Sequence, residues 1–358
     1  MPTAPQTRRV RRRRRSASRA TIHDVAARAG VSVATVSRVL NRKNVVREET
    51  SRQVRDAARS LDYVPNVAAR ALSARRSQTI GVLLPDVHGE FFSEVIRGID
   101  SAAWASGYHI LVSGWHSDLV EMLQMIGAMR GRVDGLVVMA PDVAVATLNE
   151  QLRSELPLVL LSSSGGTHPA IAIDNYGGAR AVMRHLASLG HTRIAFIRGP
   201  SHNVDARERL RGFRRASGLA PGESVEFDGD FGESSGREAA LRIAQTRPRP
   251  TAVFAANDSM AVGALTAFAE LGLAIPDDIA VVGFDDIPIA RYVDPPLTTV
   301  RVDIADVGRR AVSILLDSLA HPRTRSKPRR ECVPTSLVIR KSCGSELHNH
   351  LRARRKGE

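Results

Sequence analysis

The first clear helical periodicity along the chain lies at residues 21–30, "TIHDVAARAG". Four apolar side chains recur there on one helical face: Ile22, Val25, Ala26 and Ala29. Thr21 and Asp24 form the capping-box pattern that begins a helix, and Gly30 can adopt the left-handed conformation that ends one. We therefore predict a short helix that begins after Thr21.

A second helix is predicted immediately afterwards, from about Val33 to Leu40, with Ser32 as its cap. Its inner face carries Val36, Val39 and Leu40. Its outward positions carry small or polar side chains and one long one: Val33, Ala34, Ser37, Arg38 and Asn41. Two helices joined by so tight a turn form the helix-turn-helix pattern, and a small outer face lets the second helix enter a major groove about 12 Å wide.

A third helix is predicted from Glu48 to Leu61, where four apolar side chains recur on one face: Val54, Ala57, Ala58 and Leu61. Pro65 ends the element before it, and Asn66 can cap a short Ala-rich helix from Val67 to Ser73. A helix of that length is largely unfolded in water on its own. We expect DNA and a partner copy to fold this segment.

From about Ser77 the pattern changes to apolar runs that alternate with amphipathic helices. The apolar runs predict buried strands: "TIGVLLP", "HILVS", "VDGLVVMA", "LPLVLL", "RIAFIRG", "TAVFAAND" and "IAVVGFDD". Such alternation is typical of doubly wound parallel α/β sheets, and two series of it predict two lobes with a cleft between them. The last amphipathic run, "ADVGRRAVSILLDSLA", is a candidate crossover or dimer element.

Charge divides the chain at the same place. Residues 1–76 hold 19 Lys and Arg against 5 Asp and Glu, which accounts for the whole net charge of +14, since the other 282 residues hold 32 of each. A basic module on a neutral body is the electrostatic footprint of a nucleic-acid-binding domain. The run Arg8–Arg15 taken alone favours a solvated tail instead. The prediction of DNA binding therefore rests on the helices that follow it.

The helix-turn-helix pattern assigns roles to individual side chains. Arg38 can make a bidentate contact to guanine, and Val33 and Ala34 can contact thymine methyl groups. Short hydroxyl and amide side chains around these helices are candidate phosphate contacts: Thr21, Ser32, Thr35, Ser37, Asn41 and Asn66. The alternative is an ordinary helical hairpin whose small residues pack against another helix.

Composition favours a cytoplasmic protein. The two cysteines, Cys332 and Cys343, lack metal-ligand spacing and predict no disulfide framework, which suits a reducing compartment. The basic N-terminus is not followed by the apolar segment of a secretory signal. We found no run near the roughly 20 apolar residues that span a bilayer, so no membrane contact is expected.

An enzymatic function is the main alternative of another class. The segment "GESSG" matches the G-x-S-x-G pattern of a hydrolase nucleophile, which needs a downstream acid and histidine. Only His321, His348 and His350 follow Ser234, and the last two lie in a basic tail. The patterns of phosphate-loop and zinc sites do not occur. We expect no enzyme activity, no cofactor and no metal.

Polar side chains follow several predicted strands. Asp86 comes after "GVLLP", Asn257 and Asp258 come after "AVFAA", and Asp285 comes after "VVGF". Each one alone is more often a turn or cap residue. Because open parallel sheets bind ligands at the carboxyl ends of their strands, their repetition favours a ligand cleft.

The stretches "TIHDVAARAGVSVATVSRVLN" and "LDYVPNVAARALS" resemble the headpiece and hinge of the lactose-repressor (LacI/GalR) family of bacterial transcription regulators. The similarity extends over nearly the whole chain after the arginine arm. It implies a dimer whose paired hinge helices enter the minor groove, with Leu72 at the position of the wedge leucine that unstacks a central base step. It also implies base reading by Val33, Ala34 and Arg38.

The body is similar to periplasmic sugar-binding proteins and to the effector domain of that family. The resemblance implies that an effector contacts seven side chains: Asp86, Phe92, Asp205, Arg209, Phe231, Asn257 and Asp285, with Phe91 as the alternative to Phe92. Charged pairs and an aromatic platform suit a sugar-like polyol. Two positions depart from the family: Asn203 replaces the Arg of purine-responsive members, and Ser162 replaces an acidic residue common in sugar-responsive members.

These observations predict five regions. They are a disordered Arg-rich arm (1–19), a helix-turn-helix headpiece (20–65), a hinge helix and linker (66–76), a two-lobed effector-binding and dimerisation domain (77–343) and a basic tail (344–358). The predicted function is that of a homodimeric repressor of a palindromic DNA operator, controlled by a small sugar or sugar derivative. The alternative is a sugar-binding protein without a DNA function, which the helix-turn-helix pattern argues against.

Overall fold

The computed structural model describes residues 20–40, 46–63, 76–152, 156–163, 166–219, 224–321 and 327–345. The chain divides into two units, Met1–Ser77 and Gln78–Glu358, which we call the head and the body. Several predictions lie outside the described residues: those for the arm (1–19), the hinge helix with Asn66 and Leu72, Asn41, and all but the first two residues of the tail. They remain predictions.

The described residues of the head form three helices: α1 (Ile22–Ala29), α2 (Val33–Leu40) and α3 (Glu48–Ser60). Thr21 and Asp24 close the predicted capping box, and Gly30 ends α1 with φ 64°. The Thr35 N–H donates to Ser32 Oγ at 3.1 Å, so Ser32 caps α2 as expected. The predicted bounds of α2 agree with the structure, and its start is fixed by a cap within one turn.

The head has a small apolar core built from all three helices. Its fully buried members are Val25, Ala26, Val36, Val39, Val54, Ala57 and Ala58. The Arg28 Nε donates to Ser60 Oγ at 2.8 Å and links α1 to α3. The periodic apolar positions of the three predicted helices are therefore the positions that pack against one another.

The first lobe of the body begins with alternating strands and helices. They are β1 (Thr79–Leu84), α4 (Glu90–Ala105), β2 (His109–Gly114), α5 (Leu119–Met129), β3 (Gly135–Met139), α6 (Val145–Gln151), β4 (Leu158–Leu161) and β5 (Ala170–Ile173). The strands β3 and β4 are buried along their whole length, as expected for a sheet covered by helices on both faces.

The second lobe repeats the alternation. Its elements are α7 (Asn175–Ser188), β6 (Ile194–Ile197), α8 (Val204–Ala216), β7 (Val225–Phe227), α9 (Glu233–Gln245), β8 (Ala252–Ala255), α10 (Asp258–Glu270), β9 (Ala280–Asp285) and β10 (Thr298–Arg301). The short strand β7 was not predicted, because three residues of mixed polarity give no periodicity.

The chain then returns to the first lobe through α11 (Ile304–Ala320) and β11 (Arg330–Val333), and ends in the second lobe with β12 (Ser336–Val338). The strand orders are β11-β5-β4-β3-β1-β2 and β12-β10-β9-β8-β6-β7. Every pairing is parallel except that β12 runs antiparallel to β10. The two parallel lobes and the crossover role of α11 confirm the predicted fold class.

Close helix packing fixes α11 in the first lobe. A Cβ on Gly98 of α4 would lie 2.0 Å from the Ala305 carbonyl oxygen, and a Cβ on Gly308 would lie 2.5 Å from the Val95 carbonyl oxygen. Two glycines therefore let the backbones of α4 and α11 touch, one from each helix. Among the described residues, we found no helix long and apolar enough to span a membrane.

Candidate functional site

The outer face of α2 presents the side chains predicted to read DNA bases. Ala34 and Arg38 are exposed. Val33 is only half exposed, because it also packs against the head core. The sequence placed Val33 wholly outward, and the structure corrects this: its contact with a base would use only part of the side chain.

The hydroxyl side chains predicted to contact phosphates also form hydrogen bonds at the starts of α1 and α2. Thr21 Oγ1 donates to Asp24 Oδ2 at 2.7 Å, and the hydrogen bonds from Thr21 lower the pKa of Asp24. The Ser32 and Thr35 hydroxyl oxygens lie 2.9 Å apart. Ser37 is half-buried on α2. Any role of these four residues toward phosphates remains a prediction.

The body contains a cleft of about 860 Å³ at the carboxyl ends of its strands. All seven side chains predicted to contact an effector line it: Asp86, Phe92, Asp205, Arg209, Phe231, Asn257 and Asp285. They come from segments up to 199 residues apart, so the cleft is a product of the fold. Their contact with a ligand remains a prediction.

Arg209 organises the floor of the cleft. Its Nε donates to Asn175 Oδ1 at 2.8 Å, one terminal nitrogen donates to the Ala256 carbonyl oxygen at 2.5 Å, and the other donates to Asp285 Oδ1 at 2.9 Å. Only 3% of Arg209 is exposed, and its guanidinium lies 3.9 Å from the centre of the Phe284 ring. Burial, three acceptors and an aromatic face hold the cation in one position.

Asp205 completes the floor through Asn175. The Asn175 Nδ2 donates to Asp205 Oδ1 at 2.7 Å, and the Ser162 hydroxyl also hydrogen-bonds this carboxylate. Asp205 is 8% exposed, and burial raises its pKa against the attraction of Arg209. The sequence analysis did not single out Asn175. An asparagine near a strand end does not by itself indicate that its amide will bridge Asp205 and Arg209.

Asp285 ends β9 with φ 107°, a conformation unfavourable for a residue other than glycine. Strained backbone of this kind is concentrated at ligand sites. Burial raises the pKa of Asp285 to about 6, although Arg209 opposes that shift. The neighbouring Asp258 is fully buried, accepts hydrogen bonds from Thr299 Oγ1 and the Ile287 N–H, and has its pKa raised by burial and by Asp285.

Aromatic side chains form the walls of the cleft. Phe231 also has a positive φ, 74°, and its ring packs where a Cβ on Gly199 would lie 2.5 Å from a ring carbon. Asn257 Nδ2 donates to the Phe231 carbonyl oxygen at 2.9 Å, while its Oδ1 caps α10. Asn257 therefore positions the Phe231 segment and the helix as well as lining the cleft. Phe92 lies on α4 with its ring 5.6 Å from that of Phe91.

Direct hydrogen bonds join the two lobes beside the cleft. Asn203 Nδ2 donates to Asp142 Oδ1 at 3.0 Å, and the Val204 N–H donates to the Pro141 carbonyl oxygen at 2.9 Å. The Ile289 N–H donates to Glu90 Oε2 at 3.0 Å. Asp142 was missed by the sequence analysis, although it follows a buried strand as Asp86 does and the same signal could have found it.

The hydrolase pattern does not form the expected geometry. Ser234 is exposed in the first turn of α9. His321 lies at the end of α11 in the first lobe, beside Asp317. The serine and this histidine therefore belong to different lobes and do not form the adjacent pair that activates a serine nucleophile. His348 and His350 lie outside the described residues.

Family models of known proteins match both the head and the body. A family model described as bacterial regulatory proteins, lacI family, matches residues 21–66, and a periplasmic binding protein-like domain matches residues 183–343. The chain is 36% identical over 332 residues to the HTH-type transcriptional repressor PurR of Photobacterium profundum, which covers 90% of this chain and 98% of that protein.

Two solved structures are similar over almost their whole length. The lac repressor dimer bound to operator and the anti-inducer ONPF has a TM-score of 0.82 and 32% identity, covering 91% of this chain and 99% of that one. The complex of the transcriptional regulator CelR with cellobiose has a TM-score of 0.67 and 31% identity, covering 90% and 100%. The chain belongs to the lacI family of bacterial regulatory proteins, as a helix-turn-helix transcriptional regulator with an effector-binding body.

Proposed function

We propose that this protein is a cytoplasmic homodimeric repressor whose affinity for a palindromic operator is set by a sugar or sugar derivative bound in the cleft of the body. The observation that carries the proposal is the buried floor of the cleft, where Asn175 bridges Asp205 and Arg209, and Arg209 donates to Asp285. The two carboxylates and the guanidinium all line the cavity. Such groups orient hydroxyl-bearing ligands.

The head supports sequence-specific DNA binding. Ala34 and Arg38 are exposed on α2, while the opposite face of the helix is buried in the head core. Arg38 is the side chain with the length and the donor geometry for guanine. Leu72 enters the proposal through the family resemblance, as the wedge that bends the operator.

The cleft supports a polyhydroxy ligand. Carboxylates and a guanidinium supply paired acceptors and donors for hydroxyl groups, and Phe92 and Phe231 offer apolar walls for the face of a sugar ring. CelR binds cellobiose in the structure to which this chain is similar. Asn203 gives no cationic contact for a purine, because it caps α8 and bonds to Asp142.

A second copy of the chain is supported by the edge of the first lobe. The edge strand β2 carries Leu111 at 39% exposure, and Trp104 at the end of α4 is 71% exposed. Large exposed apolar side chains of this kind mark protein interfaces. The lac repressor to which the chain is similar is a dimer on its operator.

Thermodynamic linkage connects the two units in this proposal. One state of the dimer holds the hinge segments close enough to fold on DNA, and another holds them apart. The bonds between the lobes at Asp142 and Glu90 change when the cleft changes shape, so a ligand shifts the balance by its different affinity for the two states. A ligand favouring the DNA-competent state acts as a corepressor, and one favouring the other state acts as an inducer.

Fluorescence anisotropy tests the proposal. A labelled palindromic duplex with a central C-G step is compared with its scrambled version at physiological salt, for the wild type and Leu72→Ala. We expect tight binding of the wild type to a palindrome, lost on scrambling and weakened by Leu72→Ala. If selection from a random pool, with and without sugars, yields no preferred sequence, the repressor function is wrong.

A further inference from the structure

The floor of the cleft contains more buried negative than positive charge. Asp205 and Asp285 are both more than nine-tenths buried, and Arg209 is the buried cation beside them. Arg209 donates to Asp285 at 2.9 Å. Within the described part of the chain, no Lys, Arg or His nitrogen lies within ion-pair distance of Asp205, whose partners are the amide of Asn175 and the hydroxyl of Ser162.

A buried carboxylate without a counter-charge is unfavourable, and it is relieved either by a proton or by a cation. Burial raises the pKa of Asp205 and Asp142 adds to the rise, while Arg209 opposes it without forming a direct ion pair with this carboxylate. Arg209 is shared with Asp285, so the two buried carboxylates have one buried cation between them. Asp205 also lines the cavity. A ligand entering the cleft can therefore supply the missing charge.

The rest of the lining has the same sign. Seven carboxylates line the cleft, against one arginine and three histidines. An anionic ligand such as a phosphorylated sugar would face repulsion there, whereas a cation would be attracted into the cleft. The described residues hold no group of three or more His, Cys, Asp or Glu side chains suited to a metal ion, and the walls include Phe92 and Phe231. These features suit an organic cation.

We propose that the effector is a hydroxylated amine, such as an amino sugar or an aminated polyol, whose ammonium group donates hydrogen bonds to Asp205. This inference rests on the proposed effector function of the cleft. The hydroxyl groups of the ligand use the polar atoms around Arg209 and Asp285, and its apolar face packs on the phenylalanine walls. Ser162, the residue after β4, carries a hydroxyl in place of an acidic side chain and hydrogen-bonds Asp205.

The test uses the full chain and matched probes at pH 7. Glucosamine, galactosamine, mannosamine and 1-amino-1-deoxyglucitol are each compared by calorimetry with their neutral parents, and the hexosamines also with their N-acetyl forms. Because a charge-assisted hydrogen bond replaces a neutral one, we expect at least one amine to bind about tenfold more tightly than its parent and its N-acetyl form. If no amine binds more tightly than its parent, the inference is wrong.

Two variants locate the effect. Asp205→Asn removes the buried charge and should erase the preference for the amine. Glu233→Gln removes one charge from an exposed position in the same cleft and should change the preference by less than about twofold, because exposed charges are screened. Equal losses in both variants would assign the preference to the general field of the cleft and overturn the role of Asp205.

The stability of the ligand-free protein provides an independent readout. We expect Asp205→Asn to raise the Tm at pH 7, and we expect this gain to shrink at lower pH, because the raised pKa lets Asp205 take up a proton as the pH falls. A lower Tm of Asp205→Asn at both pH 7 and pH 5 would show that groups of the protein already stabilise the charged Asp205 carboxylate. That result contradicts the inference. Operator binding is measured without amines in the same preparations, so a failure of DNA binding counts against the proposed function and leaves the ligand test standing.

Discussion

The head and the cleft of the body are stabilised by interactions of very different range. In the head, the polar contacts that define α1 and α2 join Thr21 to Asp24 and Ser32 to Thr35, three residues apart. In the cleft, Arg209 bonds to Asn175, 34 residues away, and to Asp285, 76 residues away. The helix ends of the head therefore depend on local capping, whereas the floor of the cleft depends on residues that are distant along the chain.

Exposure differs between the two regions as well. Arg38, the base-reading candidate, is exposed, so its replacement leaves the head core intact. Arg209, the central residue of the cleft, is 3% exposed and neutralises buried charge. Function and stability are therefore separable on the DNA-reading helix but coupled at the floor of the cleft.

The largest expected effect is that of Arg209→Met. Removing the cation leaves Asp285 and Asp205 buried without it, which should lower the free energy of unfolding of the body by about 3–5 kcal/mol at pH 7. Urea denaturation followed by the fluorescence of the buried Trp115 measures the loss. The control is Arg198→Met, which breaks pairs with the exposed Asp228 and with Glu226, and Glu226 keeps Arg214 as a partner. This loss should cost at most about 1 kcal/mol. Equal losses in the two variants would contradict the charge argument.

The second prediction concerns opposite pH dependences in the two units. The pKa of Asp285 is raised to about 6, so its contribution to stability is present below about pH 4 and is lost as the pH rises through 6. Relative to Asp285→Asn, the wild-type body should lose roughly 3 kcal/mol of its free energy of unfolding between pH 4 and pH 7.

The pKa of Asp24 in the head is lowered, so its effect on stability has the opposite sign. The wild-type head should become more stable relative to Asp24→Asn as the pH rises above about 4. Urea denaturation at several pH values measures the stability of the head and of the body. If both changed in the same direction with pH, the predicted opposite pH dependences would be refuted.

The third prediction separates base reading from general attraction to DNA. Arg38→Ala should weaken binding to the selected operator by about 1–3 kcal/mol, relax the preference at one base pair and leave the Tm of the head unchanged. The matched control is Arg52→Ala, which removes the same charge from an exposed position on α3. Competition binding with operator variants provides the measurement. A loss from Arg38→Ala that is equal on specific and scrambled DNA would rule out base reading.

The smallest expected effect is on the cap of α2. Ser32→Ala removes the oxygen that accepts from the Thr35 N–H and should lower the stability of the head by about 1 kcal/mol. Ser32→Gly should cost only a few tenths of a kcal/mol, since glycine is itself tolerated as a cap. Thermal unfolding followed by circular dichroism compares the two variants. An unchanged Tm in Ser32→Ala would show that the Ser32 cap does not stabilise α2.

Most of the fold could be predicted because its signals are local. The helices α1 and α2 agree with the apolar periodicity and the caps, and the runs such as "VDGLVVMA" became buried parallel strands. The strands β5, β7, β10, β11 and β12 were not predicted, since each has only three or four residues and gives a weak pattern. The return of α11 to the first lobe depended on the fit of Gly98 and Gly308, which no local pattern records.

The sequence by itself determined the helix-turn-helix, seven of the strands, the basic head and seven of the residues that line the cleft, because periodicity, charge and family motifs are all carried along the chain. Only the tertiary structure decided how those residues interact: Asn175 bridges Asp205 and Arg209, Asn257 bonds the Phe231 carbonyl, and Asp142 bonds across the lobes. The physical reason is that burial and charge balance are properties of three-dimensional neighbours. The residues next to a carboxylate in the sequence are the same whether or not the fold brings a cation beside it.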